Sequence, residues 1–189
     1  MLYTFHIIVV GLLSCLAMDL WQRLLKLTYG INPSDWRIIG RWFIYVILKQ
    51  KIYNPNIENE KPFKNELLIG WIFHYFIGVV YSFGFFILMK YFNIFEASLT
   101  DGLIFGLVTL IIPWFFMLPA IGKGFLALKT PRPVFISSLS IWSHIAIGVA
   151  IGGFMPGGGP ISAAVGGAIG AQVGMVRQAI GSTAEYSAA

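Results

Sequence analysis

The sequence is poor in charged residues and in cysteine. Only 11% of its 189 residues are charged, whereas about a quarter is usual in a soluble domain. The single cysteine, Cys15, excludes an internal disulfide and a cysteine-based metal cluster. Hydrophobic residues make up 57% of the chain, and the mean hydropathy is +0.77. So short a chain cannot bury this much apolar surface in a soluble core, which predicts a membrane protein and not a soluble enzyme.

Four apolar segments are long enough to cross a bilayer, for which about 20 residues are needed. Asp19 is the only formal charge inside their cores. The segments predict an all-α fold, a polytopic transmembrane helical bundle, over residues 1–156. The predicted spans cover residues about 3–27, 67–89, 102–122 and 138–155.

Lysine and arginine are concentrated on one side of the predicted spans. Eleven of the thirteen lie in the loops 21–66 and 123–137, and the positive-inside rule places both loops in the cytoplasm. The N-terminus is then outside, and the first helix is expected to be retained because no basic segment precedes it. Anionic phospholipid explains the basic pI of about 9.4 without nucleic acid. We expect a multi-pass protein of the bacterial inner membrane.

The first predicted cytoplasmic loop contains a further helix. Ser34 is expected to cap a helix over residues about 35–48, and Asp35 suits its positive end. The segment combines basic with aromatic side chains, which predicts an interfacial helix in the headgroup plane. Arg37 and Arg41 argue against its burial. The polar, proline-broken residues 54–64 that follow predict an exposed loop.

The C-terminal segment 157–189 is rich in glycine and alanine. Gly166, Gly170 and Gly174 recur at four-residue spacing, which predicts close helix packing of the glycine-zipper kind. The segment is either a fifth helix or a flexible tail. Close-packing glycines also favour a homo-oligomer or a partner in a membrane complex.

Polar or helix-breaking residues fall at a similar depth in all four spans. Asp19, His74 and His144 are ionisable, and ionisable side chains in a bilayer usually face the bundle and pair. The third span contributes Pro113, which frees a backbone carbonyl. We therefore predict an intramembrane polar cluster.

Three hypotheses remain open for this cluster. In the structural hypothesis the histidines bond neighbouring helices, and Asp19 pairs with Arg23 one turn later. In the transport hypothesis the cluster carries protons or lines a path for a small solute. In the cofactor hypothesis His74 and His144 bind haem or a divalent metal.

The loop before the fourth span is a second candidate site. Three cations and glycine amides close to a helix start favour anion binding. A phospholipid headgroup is the expected ligand, and a soluble anionic substrate is the alternative. The residues predicted to bind it are Lys123, Gly124, Lys129 and Arg132.

A short pattern recurs in the second and fourth spans. Each has a tryptophan followed by His-x-x-x-Gly, and both spans run in the same direction. The recurrence is either chance or a parallel repeat of two helical hairpins. The residues concerned are Trp71, His74 and Gly78, and Trp142, His144 and Gly148.

Five motifs follow one another along the chain: Met18-Asp19-Leu20-Trp21, Gly40-Arg41-Trp42, Gly70-Trp71-x-x-His74-Tyr75-x-x-Gly78, Pro119-x-x-Gly122-x-Gly124-x-x-x-x-Lys129-Thr130-Pro131-x-Pro133 and Ser140-x-x-x-His144-x-x-x-Gly148. In order and spacing they resemble a bacterial membrane-protein family, the domain-of-unknown-function family 2938. The resemblance covers residues about 5–152 and implies an integral inner-membrane protein of about four helices, without an assigned activity. The segment 157–189 departs from the family pattern.

The sequence therefore predicts the architecture better than the activity. No serine-hydrolase or zinc-protease motif occurs in the spans, so no catalytic residue is predicted. The expected function is a non-enzymatic one, either a small transporter-like protein or a subunit of a membrane assembly. The alternatives are a haem- or metal-binding protein and, third, a membrane-embedded lipid-modifying enzyme with His74 or His144 as base.

Overall fold

The structure is a computed structural model that describes residues 2–156 and residue 161. The described residues form an all-helical fold. The predicted packing glycines Gly166, Gly170 and Gly174 lie outside them. Six α-helices follow one another: α1 (Leu2–Tyr29), α2 (Trp36–Lys49), α3 (Glu66–Lys90), α4 (Leu99–Thr109), α5 (Leu118–Ala120) and α6 (Pro133–Phe154).

Four helical segments are long and apolar enough to cross a membrane. The third of them joins α4 and α5 through an interrupted stretch. The predicted polytopic helical bundle is thus confirmed, and the protein is a multi-pass membrane protein. The segments are Tyr3–Tyr29, Glu66–Lys90, Leu99–Ala120 and Pro133–Phe154.

The third span changes its helical geometry at Pro113. Regular α-helix ends at Thr109, and Pro113–Met117 form a π-helical turn before α5 begins. Proline has no N–H to donate, so the usual helical hydrogen bond is missing there. Such wide turns are rare and are frequently found at functional sites.

Two antiparallel hairpins make up the bundle, one of α1 with α3 and one of α4 with α6, and α1 also packs on α6. A Cβ atom at Gly78 would collide with α1, and one at Gly148 would collide with the backbone of α4. In both hairpins this glycine follows a histidine, His74 or His144, by four residues. The recurring sequence pattern therefore occupies corresponding positions, which favours the parallel repeat.

The helix predicted near residues 35–48 is α2, and it runs antiparallel beside the first turns of α3. Gly40 and Gly70 allow the two backbones to touch, and the Trp36 ring stacks on that of His74 with centroids 4.1 Å apart. The location of α2 in the headgroup plane stays a prediction.

The expectation that both arginines of α2 are kept out of the interior is wrong for Arg41. Its guanidinium is buried and donates to both Glu66 oxygens, at 2.9 and 2.8 Å. The remaining nitrogen, Nη1, donates to three backbone carbonyls of the 57–60 turn, at 3.0 to 3.2 Å. The carboxylate raises the pKa of Arg41 further above its ordinary value. This network ties α2, the 57–60 turn and the start of α3 together.

The segment 54–64 is also less exposed than predicted. Asn54 and Ile57 are buried, and the Asn54 N–H donates to the Ala120 carbonyl at 2.8 Å. Gly122 has a φ of +85°, and a Cβ atom there would collide with the Pro55 carbonyl. The start of the segment is therefore packed against the end of the third span, where the Asn54 N–H finds its hydrogen-bond partner.

Candidate functional site

A cavity of about 760 Å³ lies between α1, the start of α2, the interrupted third span and α6. At one end it is lined by Lys123 and Arg132, which lie outside the spans. At the other end it is lined by Ser143 and His144, halfway along the 22 residues of α6. At a rise of about 1.5 Å per residue, Arg132 and His144 are roughly 18 Å apart along the helix axis. The cavity thus extends from the loops to the middle of the bundle.

His144 lines the inner end and is held by a hydrogen-bond chain to α4. The Thr109 hydroxyl donates to the Gly106 carbonyl at 2.7 Å and lies 2.9 Å from the Nδ1 atom of His144. In the tautomer that keeps the hydroxyl's bond to Gly106, Nδ1 donates to Thr109, and the Nε2 atom of the neutral ring is left as an acceptor. His144 can therefore accept a proton or a hydrogen bond in the middle of the bundle.

Gln22 connects three walls of the cavity. Its amide oxygen accepts from the Ser34 N–H at 2.8 Å, and its Nε2 atom lies 3.3 Å from the Ser34 hydroxyl and 3.4 Å from the Ser143 hydroxyl. These bonds join α1, the loop before α2 and α6. The two bonds to hydroxyls are long, and neutral bonds of this kind contribute little individually.

The outer end, called the mouth from here on, carries an excess of positive charge. Asp35 accepts from the Arg37 side chain in two bonds of 2.9 Å, and these bonds hold the pKa of Asp35 below its ordinary value. Lys123 lies 3.5 Å from the exposed Glu58 carboxylate. Arg132 forms no ion pair with any residue in the described part of the chain.

A second polar cluster lies between α1 and α3. One oxygen of the buried Asp19 carboxylate accepts from the Tyr75 hydroxyl at 2.9 Å, and the other lies 3.4 Å from the Nε2 atom of His74. That distance suits an ion pair, but the geometry is not that of a hydrogen bond, and Nε2 has no hydrogen-bond partner among the described residues. The predicted pairing of Asp19 with Arg23 is wrong, because Asp19 contacts α3 instead.

The residues predicted for one intramembrane cluster thus divide between two places. His144 and Pro113 line the cavity, together with Lys123 and Arg132 of the predicted anion site. Asp19 and His74 form the second cluster. The other two residues of the predicted anion site, Gly124 and Lys129, pack against each other and do not line the cavity.

The two histidines predicted to bind haem or a metal contact different residues. Within residues 2–156, no hydrogen bond or ring contact joins His74 to His144. Nor do the described residues contain a group of three or more His, Cys, Asp and Glu side chains placed for a metal ion. A haem or metal site at this pair stays a prediction.

Sequence reasoning missed several polar residues of the cavity wall. Ser143 and the predicted His144 lie three and four residues after Ser140, which places all three on one face of α6. A polar stripe along an otherwise apolar span was the available signal. Gln22 gave no comparable signal, since it lies among the charged residues that end the first span.

Comparison with known proteins gives a family but no activity. Neither the curated proteins nor the solved structures give a match to this chain. The model of one family, described as a protein of unknown function, matches residues 8–155, which is most of the chain and nearly the stretch that the motifs indicate. The chain belongs to this family, DUF2938.

Proposed function

We propose that the protein is a small transporter-like membrane protein and that the cavity is its solute site. The observation that carries this proposal is a cavity that reaches mid-span beside an interrupted helix and has Ser143 and His144 at its inner end. Irregular backbone at membrane depth is tolerated where it is buried in protein or lines a cavity. Substrate sites of transporters commonly lie near the bilayer midplane beside discontinuous helices.

A role as a subunit of a membrane assembly has less support among the described residues. The glycines Gly102, Gly106, Gly148 and Gly152 contact one another within the chain, between α4 and α6. They therefore do not offer a close-packing face to another protein. The glycines predicted for that purpose belong to the segment 157–189.

We place the cavity mouth on the cytoplasmic side of an inner membrane. The mouth is formed by the loops 21–66 and 123–137, which together hold eleven of the thirteen basic residues. Basic loops are retained in the cytoplasm, and the N-terminus is then outside. Solute would enter or leave the cavity from the cytoplasm.

Alternating access is testable without a known substrate. A Ser143→Cys variant is treated with a small, charged, membrane-impermeant methanethiosulfonate in right-side-out and in inside-out vesicles. The transporter proposal predicts that the thiol reacts in both, because the cavity opens to each face in turn. Ser82→Cys is the matched control, since Ser82 is fully buried between α1 and α3. Reaction in one vesicle type alone would contradict the proposal.

A lipid-modifying enzyme is the second candidate, and one observation favours it. His144, a possible general base, lines the same cavity as Lys123 and Arg132. This hypothesis predicts that lipid is altered on incubation with the purified protein and that His144→Gln stops the change. Mass spectrometry of the lipids before and after incubation distinguishes it from transport, which leaves them unaltered.

A further inference from the structure

The charges at the cavity mouth do not cancel. Among the residues that line the cavity in the described part of the chain, Asp35 is the only carboxylate, and Arg37 already occupies both of its oxygens. Lys123 has one partially exposed partner at 3.5 Å, and Arg132 has none among the described residues. Arg132 is therefore available to a negatively charged group, and Lys123 becomes available where that group displaces the exposed Glu58 carboxylate.

Beyond the mouth, the described side chains that line the cavity include no aspartate, glutamate, lysine or arginine. Its walls are largely apolar and include Leu25, Ile39, Phe135 and Leu139. A small inorganic anion would leave these walls in contact with water, whereas an apolar body would cover them. A fully charged solute would find no partner there.

We propose that the cavity binds an amphiphilic anion, with a carboxylate or phosphate group at Lys123 and Arg132 and an apolar body between α1, α2 and α6. The proposal rests on the proposed function, because it names the class of solute for the same cavity. Arginine and lysine form their strongest hydrogen bonds with such anions. The molecule comes either from the membrane, as an anionic lipid, or from the aqueous phase.

The charge preference is tested at Ser140, which lines the cavity between the mouth and Ser143. Ser140→Cys protein in phosphatidylcholine nanodiscs is treated with ethylsulfonate and ethylammonium methanethiosulfonates, which differ in charge. After correction for their rates with free cysteine, we expect the anionic reagent to react roughly tenfold faster. The preference should fall when Lys123→Gln and Arg132→Gln are added. It should persist with Lys129→Gln, a matched loss of charge in the same loop but outside the cavity.

Ligand class and source are tested by protection of the same thiol. In phosphatidylcholine nanodiscs, sodium decanoate should slow the reaction, whereas decanol and decyltrimethylammonium at the same concentration should not. In nanodiscs that contain phosphatidylglycerol and no added solute, slower reaction with both the anionic and the cationic reagent would identify a membrane lipid as the source, since surface charge alone would slow only the anionic one. Protection by decanoate alone would identify a soluble amphiphile.

Two results overturn the proposal. One is equal reaction with both reagents at 50 mM salt, where screening is weak. The other is the absence of protection by both decanoate and phosphatidylglycerol. In either case two-sided reaction at Ser143→Cys would still support a transporter, so failure of the ligand class is distinguishable from failure of the proposed function. If Ser140→Cys reacts with neither reagent, the cavity is closed and both proposals fail.

Discussion

Replacing Arg41 by alanine should destabilise the fold far more than replacing Arg37, four residues earlier on the same helix. Arg41 is 8% exposed, and its loss leaves the buried Glu66 carboxylate without its two charge-assisted hydrogen bonds. The Arg37 side chain is 61% exposed, and its partner Asp35 is exposed as well. Exposed pairs of that kind add little or nothing to stability.

The magnitude follows from the burial of the pair. Removing one partner of a buried ion pair typically costs about 3–5 kcal/mol, since the other charge remains buried. The Arg41 network lies at the edge of the protein, near solvent-exposed turns, so water would partly solvate the unpaired Glu66 carboxylate. We therefore expect about 3 kcal/mol for Arg41→Ala.

A second variant separates the ion pair from the contacts around it. In Arg41→Met/Glu66→Met no charge stays buried, and we expect most of the lost stability to return. At least about 1 kcal/mol should stay lost, because the Phe63 N–H no longer donates to Glu66 and three carbonyls of the 57–60 turn lose the Arg41 donor.

Equilibrium unfolding by sodium dodecyl sulfate in mixed micelles, followed by far-ultraviolet circular dichroism, measures these free energies. The reasoning is refuted if Arg41→Ala loses no more stability than Arg37→Ala. It is also refuted if the double variant is as unstable as Arg41→Ala.

Two pairs of glycine substitutions test the packing of the protein. Gly148→Ala should lower the thermal unfolding temperature in detergent, because its Cβ atom would meet the backbone of α4. Gly84→Ala should not, because a Cβ atom there would meet only a ring atom of Phe105, at 3.9 Å. Equal effects of the two would contradict the close approach of α4 and α6. Gly122→Ala should also cost more than Gly30→Ala: both glycines have positive φ, but only Gly122 lies against the Pro55 carbonyl. The same thermal measurement checks this, and a larger loss at Gly30 would count against the packing of segment 54–64.

The spans could be predicted from the sequence because a bilayer imposes a local rule. About 20 apolar residues in a row suffice, whatever the partners of the helix are. The helix at Trp36–Lys49 was also predictable from its local start signal, although the cap is Asp35, which accepts from the Arg37 N–H, and not Ser34 as predicted. The spans and this helix start depend on residues that are close together in the sequence.

The candidate site depends on residues that are far apart in the chain. Arg41 and Glu66 are 25 positions apart, and Gln22 and Ser143 are 121 apart. The sequence does not determine how each helix is rotated about its axis. Here the glycine contacts determine it, and they turn His144 toward the cavity and His74 toward Asp19. The sequence thus predicted that the polar residues of the four spans lie at a similar depth. It did not predict that they divide between the cavity and the Asp19–His74 cluster.

A comparison of two serines tests the central claim, that the cavity is open to water at mid-span. Ser143 and Ser82 are both buried, at 7% and 0% exposure, and only Ser143 lines the cavity. In detergent-solubilised protein, the Ser143→Cys thiol should react with a methanethiosulfonate faster than the Ser82→Cys thiol. We expect a difference of roughly tenfold or more, because Ser82→Cys reacts only after a local opening that costs at least about 1.4 kcal/mol. Equally slow reaction at both positions, in correctly folded protein, would contradict the account.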